Sequence, residues 1–194
     1  AGLMMRLGLG TSHNNIKALQ LLRESADAGF ADAAFYVWIM RGILGKESVP
    51  DKEALGYLKQ AAELGLREAQ YEFGKALAQG KLGLKPDKKA ALPWIQKAAK
   101  QGNTACQFLL GIMYAVGPEG SGLKKDAKEA FVWLSLATRS EESQTRSNAQ
   151  NQLKLVRSKI DSLIQLDLLK RVNEFKAEET TVTINSSMGL DGAD

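Results

Sequence analysis

The chain has very few of the side chains that build metal sites and catalytic sites. Its 194 residues contain one cysteine, Cys106, and one histidine, His13. A structural zinc ion takes four protein ligands and a catalytic zinc ion takes three, most often from cysteine and histidine. We therefore predict no metal site, no cofactor and no catalytic residues.

The two candidates for chemistry have simpler interpretations. Cys106 occupies a small-residue position at the start of a predicted helix, which indicates a buried thiol rather than a nucleophile beside an activating base. His13 lies in a polar turn, where an exposed side chain is expected. These interpretations predict that the protein is not an enzyme.

The chain also has no long apolar run and no clustered charge. Its apolar opening contains Arg6 and is far shorter than the ~20 residues that span a bilayer. The net charge is +4, and four acidic residues follow Lys176, so residues 1–176 carry +8. The lysines are spread along loops and outer helix faces without the interleaved aromatic residues of a nucleic-acid site. We expect neither nucleic-acid binding nor membrane insertion.

What the chain does have is one short sequence motif that occurs three times. Residues 60–65 (QAAELG) return as residues 97–102 (KAAKQG), and a looser copy stands at residues 25–29. The closing glycines are 36 and 37 residues apart. Repetition at this period is typical of repeat arrays, in which each unit buries its apolar face against its neighbours.

Each unit contains two predicted helices. Residues 69–80 match residues 106–117 in register and predict helix A, with small residues where two backbones would approach closely. An alanine followed three residues later by a large apolar residue precedes each closing glycine and predicts helix B. In helix B of the central unit we expect Trp94 in the core and Lys97 on the outer face.

This pattern resembles the Sel-1-like repeat, a variable-length relative of the tetratricopeptide repeat. The matching stretches are residues 69–80, 86–94 and 97–102, and the resemblance covers roughly residues 1–140. The chain departs from the family at Trp38, where a glycine belongs, and lacks the paired cysteines of disulfide-linked members. An insertion at residues 117–122 lengthens the last unit, as the family allows.

The resemblance implies an all-α, right-handed α-solenoid of antiparallel helix hairpins. We assign a partial repeat to residues 1–29 and full repeats to residues 30–65, 66–102 and 103–141. Amphipathic periodicity predicts capping helices in residues 142–176, with a capping box at Ser162 and Gln165 starting the second. Polar composition predicts a flexible tail at residues 177–194.

The chain begins inside a repeat, so we expect a fragment of a longer protein with any targeting segment upstream. A bacterial extracytoplasmic location is favoured over a cytoplasmic one, and a monomer is favoured over an oligomer.

The function implied is a non-enzymatic scaffold that binds a peptide or protein on the concave surface formed by the A helices. The alternative is a regulatory or assembly subunit that acts through cap-mediated or tail-mediated oligomerisation or docking. An enzyme of the β-lactamase type ascribed to cysteine-rich relatives is disfavoured because the defining cysteines are missing. Three pairs of side chains are predicted to line the concave groove, although their rings could instead pack between adjacent A helices: Phe35 and Ile39, Tyr71 and Lys75, Phe108 and Ile112.

Overall fold

The computed structural model describes residues 14–117 and 121–178, and all regular structure in these ranges is α-helical. His13, the start of the partial first repeat, part of the predicted insertion and most of the predicted tail lie outside the described residues. The helices are α1 (Asn15–Asp27), α2 (Ala31–Leu44), α3 (Asp51–Glu63), α4 (Arg67–Gln79), α5 (Lys88–Lys100), α6 (Thr104–Val116), α7 (Ala127–Ala137), α8 (Ser143–Arg157) and α9 (Ser162–Glu174).

The chain forms two compact units, one containing residues 14–66 and the other residues 67–178. In the first unit α2 packs against both α1 and α3. An ion pair joins α1 to α3, because the Arg23 guanidinium donates to both carboxylate oxygens of Glu53 at 2.6 and 3.0 Å. That hydrogen bonding raises the pKa of Arg23 despite its partial burial. The side chain therefore stays charged and links α1 to α3.

Three B helices, α1, α3 and α5, end in the same glycine turn, as the repeated motif predicts, whereas α7 has Thr138 as its C-cap and no such turn. Gly29, Gly65 and Gly102 have positive φ angles of 92°, 96° and 84°. The next residue donates its N–H to a carbonyl five residues earlier, as in the bond of Leu66 to Ala61. This geometry is a Schellman motif, which favours glycine because a Cβ would be strained there. The turn directs the chain from one hairpin into the next.

In the second unit the two helices of each hairpin, α4 with α5 and α6 with α7, pack very closely against each other. A Cβ built on Gly74 would lie 3.1 Å from Cγ1 of Ile95. A Cβ built on Gly111 would lie 2.7 Å from Cγ and 3.0 Å from the backbone nitrogen of Leu134. Both glycines occupy the register position predicted for close helix contact. A Cβ at Gly111 would force the neighbouring residue to move, whereas a Cβ at Gly74 would require a shift of only a few tenths of an ångström.

Trp38 occupies the same register position in α2, where it stacks on Phe35 with ring centroids 5.2 Å apart. Both rings are half-buried. The α2–α3 hairpin is consequently packed less closely than the two hairpins of the second unit. The departure from the family pattern therefore changes the packing of this one hairpin.

Trp94 is half-buried and is not the fully buried core residue that we expected. One edge contacts Phe73 at 5.2 Å between ring centroids, and the Nζ of Lys97 lies 4.7 Å from the Trp94 ring centroid. The lysine thus covers the indole by a cation–π contact. Lys97 is exposed, as predicted for the outer face of α5, and its ammonium also contacts the Trp94 ring.

Helices α8 and α9 both pack on α7, where Val156, Leu168 and Val172 join its buried residues in one cluster. The predicted capping box of α9 is wrong. The N-cap is Asp161, whose carboxylate accepts from the N–H of Leu163, while the Gln165 amide donates to the carbonyls of Arg157 and Ile160. Gln165 therefore closes the preceding turn instead of capping Ser162.

The chain that follows α9 returns to the repeats. Phe175 meets Trp133 edge to face, with ring centroids 6.2 Å apart. The N–H of Glu178 donates to the carbonyl of Lys100 at 2.9 Å, and Ala177 lies against Gly102. The first two residues of the predicted tail, 177 and 178, thus contact the end of α5 and the glycine turn that follows it.

We predict that Gly111→Ala destabilises the protein by about 1–3 kcal/mol, because the Leu134 side chain can rotate away but its backbone nitrogen cannot. The matched control is Gly56→Ala in α3, where a Cβ meets nothing within 4 Å. That change should stabilise by about 0.5–1 kcal/mol through helix propensity. Urea unfolding of both variants tests this, and equal effects would contradict the close-contact assignment.

Candidate functional site

The predicted pair on α4 forms a small amphipathic group. The Nζ of Lys75 lies 2.7 Å from Oε1 of Glu72 and 4.8 Å from the centroid of the Tyr71 ring. All three side chains are half-buried, and the Tyr71 ring also packs against the core residues of α5 and α6. The positive charge of Lys75 is therefore neutralised within its own helix, and the group presents both the aromatic ring and this ion pair to solvent.

The predicted pair on α6 lies between the core and solvent. Phe108 and Ile112 are half-buried and pack against the cluster formed by α7, α8 and α9. Each of the two side chains thus contributes to packing, as a core residue does, and leaves part of its surface in water, as a groove residue does. The position resembles that of Tyr71, one repeat earlier.

The predicted pair in the first unit has a similar exposure. Phe35 and Ile39 are half-buried on α2, and the Trp38 stack adds a second aromatic ring beside Phe35. Within residues 14–66 this gives α2 a continuous aromatic and aliphatic strip. The sequence predicted Phe35 and Ile39, but treated Trp38 only as an interruption of the repeat.

Cys106 is fully buried in α6. Burial, and to a smaller extent the negative charge of Glu72, raises the pKa of its thiol to about 12. A neutral, inaccessible thiol is a poor nucleophile. In the part of the chain that the structure describes, no group of three or more histidine, cysteine, aspartate or glutamate side chains could hold a metal ion. None of the described helices is long and apolar enough to span a membrane.

A cleft at the start of α6 has arginines on its walls but is not prepared for an anion. Arg67 is paired with Glu68 at 2.8 Å, and Arg139 donates to the carbonyl of Val172 at 2.9 Å. Glu141 and Glu142 also line the cleft. Arg67 is therefore neutralised by Glu68, and the two glutamates of the lining disfavour an anion.

Buried glutamines are a structural feature that the sequence reasoning missed. Gln70 and Gln107 stand 37 residues apart, at the same position of their repeats, and both are buried. The Gln107 amide donates to the carbonyl of Ala99 at 3.1 Å, and Gln70 accepts from the amide of Gln101 at 3.0 Å. Their recurrence at the repeat offset was the available signal. They satisfy polar groups near the glycine turn that joins two hairpins.

The repeat geometry agrees with a known family. The family model of the Sel1 repeat matches residues 1–30, 33–66, 67–103 and 104–140, which is more than half of the chain. The chain belongs to the Sel1 repeat family. Sel1 repeats mediate protein interactions, and the proteins built from them are generally non-enzymatic scaffolds. The family therefore suggests a protein-interaction scaffold for this chain.

Solved Sel1 structures share the fold. A protective antigen of uropathogenic Escherichia coli with a Sel1-like repeat fold is 26% identical with a TM-score of 0.71, covering 100% of this chain and 40% of the antigen. A Sel1 repeat protein from Oxalobacter formigenes is 25% identical with a TM-score of 0.69, covering 90% of this chain and 71% of that protein. These similarities confirm the predicted all-α solenoid of helical repeats.

One curated relative has a described biological role. The chain is 24% identical over 135 residues to an exopolysaccharide production negative regulator of Rhizobium meliloti (strain 1021). The alignment covers 62% of this chain and 50% of the regulator. The chain thus spans half the length of this relative.

We predict that Cys106 in the native protein reacts with a thiol reagent at pH 8 about 100-fold or more slowly than in urea, because it is inaccessible and neutral. The unfolded thiol loses its proton near pH 9, whereas the folded one keeps it to about pH 12. The stability that Cys106 contributes is therefore complete below pH 9 and is lost as the pH rises towards 12.

Cys106→Ala is the matched control, since Ala69 fills the same position one repeat earlier. It should fold normally and lose stability less steeply in that alkaline window, as measured by urea unfolding at several pH values. Rapid reaction of one thiol per folded chain would contradict the burial of Cys106.

Proposed function

We propose that this Sel1 repeat chain is a scaffold that binds a peptide or partner protein through the exposed parts of its A helices. The observation that carries the proposal is the shared exposure of Tyr71, Phe108 and Ile112, which lie at equivalent or adjacent-turn positions of successive A helices and keep apolar surface in water. Half-buried aromatic side chains on a rigid helix are suitable anchors for a ligand because little side-chain entropy is lost on binding.

The chemistry of the α4 group indicates what kind of partner would fit. Glu72 neutralises Lys75, so this surface offers no free positive charge from that lysine. Recognition would depend on apolar and aromatic contact, with the polar Lys75–Glu72 pair at the edge. We therefore infer a partner segment with apolar side chains at regular intervals, as in an amphipathic helix or an extended peptide.

In the first unit, Phe35 and Ile39 on α2 are proposed to form an interaction surface of their own. The Phe35–Trp38 stack supports this, because two half-buried rings provide a broad apolar contact area. The unit would contribute contacts of the same chemical type as α4 and α6.

A role as a regulatory or assembly subunit is a second candidate. The likeness to a negative regulator supports a function in which binding changes the activity of the partner. Exposed leucines on α9 support an assembly role through the C-terminal helices. In both cases the chain acts by binding.

The first test replaces one residue at a time with a photo-crosslinking amino acid in the source cell. Probes at Tyr71 and Ile112 should capture the same partner, whereas a probe at Lys89, exposed on the helix B of the central repeat, should not. Mass spectrometry identifies the partner. Capture of one partner from Lys89 but from neither Tyr71 nor Ile112 would contradict the proposed surface.

With the partner identified, we expect Tyr71→Ala to weaken binding by about 1–3 kcal/mol, as for other aromatic anchors. Lys89→Ala should leave the affinity unchanged. Titration calorimetry gives the affinities, and thermal melting of each variant separates lost binding from lost folding. If Tyr71→Ala lowers stability while the folded fraction binds normally, the ring serves packing and the binding surface lies elsewhere.

A further inference from the structure

Helix α9 has apolar side chains on two faces, although only one face is buried. Leu168 and Val172 pack on α7. Leu163, Leu166 and Leu169 follow one another at intervals of three residues on the rest of the helix and are 77%, 61% and 37% exposed. We call these three residues the α9 leucine stripe. The terminal unit of a solenoid ordinarily presents a polar outer face, so the stripe has the character of an interface.

We propose that the α9 leucine stripe binds the same stripe of a second copy of this chain, with the two α9 helices antiparallel. The spacing is symmetric about Leu166. A two-fold axis at this residue would place Leu166 against itself and Leu163 against Leu169 of the second copy. The surface is thereby self-complementary, as the interface of a two-fold symmetric dimer requires.

The charges at the ends of α9 favour this orientation. Asp161 stands at the N-terminus of the helix and Lys170 near its C-terminus, and both are exposed. Antiparallel pairing about Leu166 brings Lys170 close to Asp161 of the second copy. A parallel two-fold pair would instead set Lys170 beside Lys170 and Asp167 beside Asp167, which is unfavourable.

The size of the stripe sets the expected strength. One helix pair buries less surface than the about 800 Å² per partner of a standard stable interface, so the dimer should dissociate at about 10 µM or above. This changes the expectation of a monomer that the sequence supported. The stripe is separate from the α4 and α6 side chains of the proposed binding surface, so the two proposals can fail independently.

The first experiment measures the mass of the full chain by analytical ultracentrifugation from about 1 to 500 µM. The mass should rise from 21.1 kDa towards twice that value. Leu166→Lys should weaken association about tenfold or more without changing the melting temperature, because the side chain is exposed. The matched control is Val116→Lys on α6, where the native side chain is 62% exposed. A monomer at every concentration, or unchanged association of Leu166→Lys, overturns the proposal.

The second experiment tests the antiparallel register by cysteine cross-linking. In a Cys106→Ala background, Leu166→Cys should form a disulfide-linked dimer on mild oxidation. Leu163→Cys alone should cross-link poorly, but a mixture of Leu163→Cys and Leu169→Cys chains should cross-link well. Efficient cross-linking of Leu163→Cys with itself would mean a parallel pair and would overturn the proposal. Failure of both Leu166→Cys and the mixture would overturn it as well.

Discussion

The contact of a glycine backbone with the facing helix is the constraint on which the second unit depends. At Gly111 the backbone of α6 comes so close to Leu134 that an added Cβ would lie 3.0 Å from a backbone nitrogen. With this spacing the core is filled mostly by alanines and medium-sized residues, and Phe73 and Phe131 are also buried in it. Tyr71, Trp94 and Phe108 are half-buried.

The sequence could predict this arrangement because one rule acts in every repeat. A position that tolerates only a very small residue in one hairpin does so in the next, so Gly74 and Gly111 mark the contact without any structural information. The glycine turns are equally predictable from the sequence, since the positive φ of Gly65 and Gly102 recurs with the surrounding sequence motif. Trp38 is the exception to this rule. It places a large ring at the small-residue position, and the α2–α3 hairpin is packed less closely.

Periodicity identifies the apolar side of a helix but not how many neighbouring side chains cover it. This limited the prediction of the candidate site and of the last helices. It placed Trp94 on the core side, yet could not show that Lys97 would lie over the ring. It placed Tyr71 and Lys75 on one side of α4, yet could not show that Glu72 would neutralise the lysine. It placed Leu163 and Leu168 in one apolar set, although Leu168 is buried and Leu163 is exposed. These outcomes depend on tertiary neighbours, and the last helices have no repeat register from which to infer them.

The segment from Phe175 to Glu178 has a consequence for how the second unit opens. In a repeat array each hairpin contacts only its neighbours, so terminal hairpins usually fray before the centre unfolds. Here Phe175 contacts Trp133 in α7, while Glu178 is hydrogen-bonded to Lys100 at the end of α5. The last helices are therefore tied to two successive repeats, and neither can open without releasing this segment. The segment therefore couples the opening of α5 to that of α7.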